Sequence, residues 1–316
     1  MTEWLRLDVW SNPEMKIMLA LILGLLFFMT VIVSLLSLSS KMVTLKKLTR
    51  DIKYWWTMAF VYLAATMISK EISFIILTLW CFFALRELYS ILTFQSDERR
   101  AIVWLILAVP LQFYFAYKGW FISFLVFIPV GMFLFLPLRM VLAGKTFKLV
   151  ESSAKLNWIL MYAVFGLSHM AYLLSSPESI HLRSGGRGLL LYLVFLTEWN
   201  NLFQYIFRTL LPKHYILNSA HRKLTWEGFL GGVVATVIVA IPLRFITPFT
   251  LYEAMWMGFV IGVSGFFGKL VMRAVRLDLH GGEADFVLKR NGMLSRIECL
   301  AYSAPCFFYA LHFTTF

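Results

Sequence analysis

Ten apolar segments of roughly 15 to 22 residues follow one another along this 316-residue chain. A helix of about 20 apolar residues crosses the roughly 30 Å hydrocarbon core of a bilayer, and it satisfies its own backbone hydrogen bonds there. The sequence therefore predicts an all-α fold, a polytopic transmembrane helix bundle of about ten spans and no fewer than eight. The spans are expected at residues 17–38, 54–68, 72–93, 101–117, 119–138, 158–175, 188–207, 228–246, 251–272 and 299–315.

Composition also indicates a membrane protein. Hydrophobic residues make up 60% of the chain and the mean hydropathy is +0.76, well above the values of soluble domains. No linker rich in Pro, Gly or Ser divides the chain, so residues 1–316 are expected to form a single integral-membrane domain. The three cysteines form no C-x-x-C pair, which argues against a disulfide framework and a zinc site.

The basic residues predict the orientation of the bundle. The net charge of +12 arises from 29 Lys and Arg residues against 17 Asp and Glu residues. Most of the basic residues fall in the loops after the first, third, fifth, seventh and ninth spans. Because cytoplasmic loops carry an excess of Lys and Arg, these five loops are expected in the cytoplasm of a bacterial inner membrane and both termini outside. This distribution explains the charge without a nucleic-acid partner and leaves membrane lipids as the expected surroundings.

Polar residues lie along one face of the seventh predicted span, in the sequence LTEWNNLFQY at 196–205. Helical spacing places Thr197, Asn200, Asn201 and Gln204 on the same side. Such a stripe must face partner helices or a wet cavity, since unsatisfied polar groups are costly in lipid. A binding site is one interpretation, and helix packing through amide hydrogen bonds is the other.

The eighth predicted span begins within the sequence RKLTWEGFLGG at 222–232. Thr225 is suited to cap this helix, and Glu227 to interact with the positive end of its dipole. The glycines at 228, 231 and 232 would allow a neighbouring backbone or a ligand to come close. An ordinary capped helix start explains the segment, but a basic, glycine-rich helix N-terminus also suits a phosphate group.

A charged segment at 272–298 contains four acids interleaved with basic residues. The acids are Asp278, Glu283, Asp285 and Glu298. Carboxylates that hold Mg²⁺, beside Lys and Arg that neutralise phosphate oxygens, are what nucleotidyl transfer requires. A solvated loop would have a similar composition, so the charge pattern alone leaves both interpretations open.

In this order the three segments resemble the phosphatidate cytidylyltransferases, also called CDP-diacylglycerol synthases. That family has an N-D pair followed by Q-Y, then S-P-x-K-T-W-E-G-x-x-G-G, and finally K-R-D, K-D and G-H-G-G-x-x-D-R-x-D ahead of a helix with A-P-x-F-F. The corresponding stretches here are NNLFQY, HRKLTWEGFLGG and VRLD…GE…RNGMLSRIECLAYSAPCFF. The resemblance covers most of the chain from about residue 70, leaves residues 1–70 less family-like, and locates the site region at 188–316.

The resemblance implies a reaction and a set of site residues. CMP would pass from CTP to phosphatidic acid at the cytoplasmic membrane face, giving CDP-diacylglycerol and pyrophosphate, with Mg²⁺ as the cofactor. The expected catalytic residues are Asp278, Glu283, Arg296 and Lys223. The expected cofactor-binding residues are Thr225, Glu227, Arg276, Asn201 and Gln204. The expected Mg²⁺ ligands are Asp278, Glu283 and Glu298.

Several signature residues depart from the family pattern. Asn201 stands where the family has the aspartate of its N-D pair, and Ser295 stands where it has the first aspartate of D-R-x-D. The lysine before T-W-E-G is absent in register, which leaves the adjacent Lys223 or Arg222 to replace it. Losing several residues of one catalytic site usually removes most of its activity.

The alternative function is that of a catalytically inactive paralogue that binds lipid and regulates another membrane enzyme, with that enzyme or a second copy of this chain as its partner. A lipid or anion transporter has only the polar stripe in its favour.

Overall fold

The computed structural model describes residues 13–39, 56–57, 59–63, 65–66, 69–92, 102–144, 147–175, 185–211, 214–216, 224–279 and 297–315. Nearly all of these residues are helical. The extended pairing found among them is an isolated antiparallel bridge between Tyr215 and Thr225. The prediction of an all-α fold is confirmed for this part of the chain.

The described residues form nine long helices. Their bounds are α1 Pro13–Ser39, α2 Lys70–Ile91, α3 Ile102–Lys118, α4 Phe121–Leu142, α5 Leu149–Ser175, α6 Gly185–Leu210, α7 Trp226–Ala240, α8 Leu251–Leu279 and α9 Leu300–Thr315. Helices α4 and α5 continue through π-helical turns at Phe127–Met132 and Leu160–Phe165. The described residues between 56 and 66, where the second span is expected, are helical as well.

Helices α5 and α7 differ from their predicted bounds for identifiable reasons. Helix α5 begins at Leu149 rather than 158, because its polar first turns bury Ser152, Ser153 and Asn157 and pack against α4 and α2. Helix α7 ends at Ala240, and the rest of the predicted span at 228–246 contains the 3₁₀ helix Pro242–Ile246. A proline disfavours the α conformation in the residue before it and cannot donate a backbone hydrogen bond.

Four of the described helices are long and apolar enough to cross a bilayer. They are α2, α4, α5 and the part of α8 up to Asp278, whereas α3 and α7 are apolar but shorter. These helices support a membrane protein. The count of ten spans and the orientation of the termini remain predictions.

The C-terminal helices pack tightly around α6, which contacts α7, α8 and α9. Two glycines set the position of the α9 N-terminus. A Cβ atom at Gly268 of α8 would lie 2.2 Å from the carbonyl oxygen of Glu298, and one at Gly166 of α5 would lie 2.5 Å from the carbonyl oxygen of Ala301. The backbone just before and within the first turn of α9 is therefore held against α8 and α5, close to the polar face of α6.

Candidate functional site

The polar face of α6 divides into a packing part and a part that lines a pocket. Thr197 Oγ1 donates to the carbonyl oxygen of Leu193 at 2.8 Å and lies 3.2 Å from the hydroxyl of Ser303 in α9. Asn200 Nδ2 donates to the carbonyl oxygen of Gly262 in α8 at 2.9 Å. Thr197 and Asn200 are both fully buried. For these two residues, helix packing through hydrogen bonds accounts for the polar stripe.

Asn201 and Gln204, farther along the same face, connect α6 to the start of α9 and to α8. The Asn201 side-chain oxygen accepts a hydrogen bond from Cys299 Sγ at 3.0 Å. The Gln204 side-chain oxygen accepts one from Lys269 Nζ at 2.9 Å. Both amides also line a pocket between α6, α7 and α8.

This pocket, which we call the basic pocket, has a volume of about 390 Å³ when the space open to solvent is included. Its wall combines the amides and arginine of α6, the N-terminus of α7 and two cations of α8. The lining residues in the described part of the chain are Asn201, Gln204, Tyr205, Arg208, Leu224, Thr225, Gly228, Phe229, Phe266, Lys269 and Arg273. These residues include three cationic side chains and no carboxylate, so the basic pocket suits an anion.

The N-terminus of α7 contributes backbone groups and a close helix contact to the basic pocket. Thr225 has the extended backbone of an N-cap residue, and its hydroxyl accepts a hydrogen bond from the backbone N–H of Gly228 at 3.1 Å. A Cβ at Gly228 would lie 2.9 Å from the carbonyl oxygen of Gln204. Glycine at this position therefore lets α7 begin directly against α6, where the positive end of its dipole favours an anion.

Glu227 lies outside the lining of the basic pocket and interacts with the loop that precedes α7. Its carboxylate accepts hydrogen bonds from the backbone N–H of His214 at 3.1 and 3.2 Å, and it also pairs with the His214 ring. The backbone N–H of Trp226 in turn donates to the carbonyl oxygen of His214 at 3.0 Å. The structure thus gives Glu227 a contact that holds His214 against the start of α7, whereas the resemblance predicts that Glu227 binds a cofactor.

Arg276 of α8 and Glu298, just before α9, form a largely buried ion pair through Arg276 Nη2 and Glu298 Oε1. Their side chains are 12% and 7% exposed. The carbonyl oxygen of Glu298 accepts a hydrogen bond from the Tyr162 hydroxyl at 3.1 Å. The pair adjoins the basic pocket, because Cys299 follows Glu298 and donates to Asn201 in the pocket wall.

The described carboxylates do not form a magnesium site in this arrangement. Mg²⁺ requires oxygen ligands in near-octahedral geometry, but an oxygen of Glu298 accepts from a guanidinium. Asp278 is exposed near the end of α8. Among the described residues, no group of three or more His, Cys, Asp or Glu side chains could hold a metal ion. Glu283, Arg296 and Lys223 lie outside the described residues, so the expectation of Mg²⁺ stays a prediction.

Five of the residues found at this site were predicted from the sequence, and others were missed. Asn201, Gln204 and Thr225 line the basic pocket, and Arg276 and Glu298 lie beside it in the ion pair. Lys269 was not singled out, although a lysine inside the predicted span at 251–272 is itself a sign of function. Arg208 and Arg273 were noticed only as loop charges that orient the bundle, because their approach to α7 depends on how the helices pack.

Comparisons with known proteins agree with the motifs. The sequence model of the Cytidylyltransferase family matches residues 49–314. The chain is 29% identical to the uncharacterized protein YnbB of Escherichia coli (strain K12) over 269 aligned residues. The aligned region covers 84% of this chain and 88% of that protein. The family match begins within the stretch 1–70, where the motif resemblance was weaker.

Two named enzymes are more distant relatives. A phosphatidate cytidylyltransferase of Staphylococcus haemolyticus (strain JCSC1435) is 27% identical over 157 residues, 48% of this chain and 60% of that protein. One from Chlamydia muridarum (strain MoPn / Nigg) is 24% identical over 122 residues, 36% of this chain and 40% of that protein. This chain thus matches about half the length of these enzymes.

Proposed function

Because this chain belongs to the cytidylyltransferase family, we propose that it binds CTP and phosphatidic acid at the basic pocket and transfers CMP to the lipid. The products are CDP-diacylglycerol and pyrophosphate. The observation that carries this proposal is the wall of the pocket, in which Arg208, Lys269 and Arg273 surround the N-terminus of α7 with no carboxylate among the described lining residues. Both substrates are phosphate anions, and such a wall attracts them.

The proposed reaction requires charge neutralisation and alignment more than proton transfer. A phosphate oxygen of phosphatidic acid attacks the α-phosphorus of CTP, the bond from that phosphorus to the bridging oxygen breaks, and pyrophosphate leaves with the electron pair. Lys269 and Arg273 reduce the repulsion between the two anions and stabilise the charge that develops on the leaving group. Gln204 positions the Lys269 ammonium through the 2.9 Å hydrogen bond.

The proposed location of the site agrees with the nature of the two substrates. From the basic residues of the loops we expect this end of α6 and α8 at the cytoplasmic face of a bacterial inner membrane. A water-soluble nucleotide enters there from the cytoplasm, while the acyl chains of phosphatidic acid remain in the bilayer. Lipids of this membrane are the expected partners, and no nucleic acid is needed.

A specific observation favours the alternative of a noncatalytic paralogue. Asn201 has lost the family carboxylate and accepts from Cys299, while Glu298 is engaged by Arg276. In this alternative the basic pocket still binds a phospholipid or nucleotide, and the chain regulates another membrane enzyme or pairs with a second copy of itself. The two functions differ in turnover and share the binding step.

Transfer from radiolabelled CTP to phosphatidic acid, measured with purified protein in nanodiscs with and without Mg²⁺, tests the proposal. We expect lipid-linked CMP to form, and Lys269→Ala or Arg273→Ala to slow its formation by about tenfold to a hundredfold, the effect of losing one charge-assisted hydrogen bond. Arg244→Ala is the matched control, because Arg244 is an exposed cation of the 3₁₀ helix after α7. Binding of CTP without any product would overturn the transferase proposal and favour the paralogue.

A further inference from the structure

The ion pair beside the basic pocket differs in its chemistry from the metal site that the resemblance implies. The resemblance assigns one metal carboxylate to the position of Glu298 and another acid to the position of Asn201. In this chain the first accepts from Arg276, and the second is an amide bonded to Cys299. A buried carboxylate next to a guanidinium has its charge compensated already, so a divalent cation would have to displace Arg276 to bind there.

Among the described residues, the charged side chains that line the basic pocket also disfavour a divalent cation. Lys269, Arg273 and Arg276 recur at intervals of four and three residues, which places them in one row along α8. The first two line the basic pocket, and the third lies one turn beyond it. Fixed cations in a partly water-excluded site repel Mg²⁺ and attract phosphate directly.

We infer that this chain binds the phosphates of its ligand without a divalent cation: the Arg276–Glu298 pair occupies the place where the resemblance implies the metal. The positive charge comes from Lys269 and Arg273 in the wall of the basic pocket. The inference rests on the proposed function in one respect, since it takes a nucleotide phosphate as the ligand. Glu298 acts as a positioning residue that holds Arg276, and it does not touch the ligand.

The experiment is titration calorimetry of CTP into the full-length protein in nanodiscs, once in EDTA and once in excess Mg²⁺. We expect CTP to bind in EDTA with an affinity no weaker than in Mg²⁺. Arg276→Ala should change this behaviour, because it removes the guanidinium that pairs with the Glu298 carboxylate. In that variant CTP binding should become Mg²⁺-dependent and weaken in EDTA by about tenfold, because the Glu298 carboxylate, left without its partner beside the pocket, repels the phosphates.

A second variant tests the inference if Arg276→Ala fails to fold. Glu298→Gln keeps the shape of the side chain and an oxygen that can accept from Arg276, but it removes the metal-binding charge. We expect this variant to keep its CTP affinity in EDTA within about threefold, because Arg276 remains held by a neutral hydrogen bond. Arg244→Ala again serves as the control for removal of a cation away from the site.

The outcomes separate this inference from the proposed function. Wild-type binding that occurs in Mg²⁺ and disappears in EDTA, or binding that Glu298→Gln abolishes in a folded protein, overturns the inference and leaves the proposed function intact. Absence of CTP binding under both conditions, with circular dichroism of a folded protein, overturns both. Binding in EDTA that becomes Mg²⁺-dependent only in Arg276→Ala supports the inference.

Discussion

The Arg276–Glu298 pair shows how strongly one buried ion pair determines the charge of a site. A long, planar guanidinium reaches across from α8 to the residue before α9, and the carboxylate there is buried enough to need a partner. Such a pair contributes little net stability when compared with apolar residues of similar volume, but leaving one member alone exposes the full cost of a buried charge. The pair therefore connects two helices in a way that depends on both residues.

This reasoning predicts a non-additive effect on stability. Arg276→Ala should lower the free energy of unfolding by about 3–5 kcal/mol, because Glu298 would remain buried without the guanidinium. The double variant Arg276→Met with Glu298→Leu should recover most of that loss. Thermal melting followed by tryptophan fluorescence, with Arg244→Ala as the control, measures both effects. A double variant no more stable than Arg276→Ala would show that the ion pair is not the cause.

At the scale of helices, the contact between α8 and the start of α9 depends on the absence of a side chain at Gly268. We expect Gly268→Ala to push the Glu298 backbone away from α8, because the added Cβ would lie 2.2 Å from a carbonyl oxygen. Overpacking of this kind costs about 1–3 kcal/mol. Melting temperature and CTP affinity should both fall, since the displaced segment carries Glu298 and Cys299.

The matched control for this prediction is Gly24→Ala. Gly24 lies within α1, and a Cβ atom added there would meet no other atom within 4 Å, so a methyl group has room. Alanine favours a helix over glycine by roughly 1 kcal/mol, and this variant should therefore melt at the same temperature as the wild type or slightly higher. Equal losses in both variants would contradict the role assigned to the α8–α9 contact.

The helices themselves were largely predictable, whereas their mutual contacts were not. Apolar length located α2, α3, α4, α6 and α9 to within a few residues, and Thr225 was recognised as the cap of α7 from local sequence. The hydrogen bond from Lys269 to Gln204 joins residues far apart in sequence, and so does the Arg276–Glu298 pair. Both depend on the close approach of α7, α8 and α9 to α6, which glycine contacts set and hydropathy does not encode.

At the scale of the whole molecule, charge and hydropathy indicate the same placement in the membrane. Helix α4 is strongly apolar and only 22% of its most apolar stretch is buried inside the protein, so most of its side chains face outward as they would toward lipid. The two ends of α4 differ in charge, with Lys118 just before the helix and, on the other side, Arg139 in its last turn and Lys145 and Lys148 after it. The more basic end is expected in the cytoplasm.

Cysteine labelling of intact cells tests this orientation together with the number of spans. In a variant without Cys81, Cys299 and Cys306, one cysteine is introduced in place of Trp120, in place of Phe147, or after Phe316. Trp120 and Phe147 are exposed residues just before and just after α4. A membrane-impermeant maleimide should label the Trp120→Cys variant from outside, and the Phe147→Cys variant only after lysis. The C-terminal cysteine should react from outside, because five predicted spans separate it from residue 147 and an odd number of crossings reverses the side.

Protection of the C-terminal cysteine in intact cells would mean an even number of crossings after α4, and the count of ten spans with both termini outside would then be wrong.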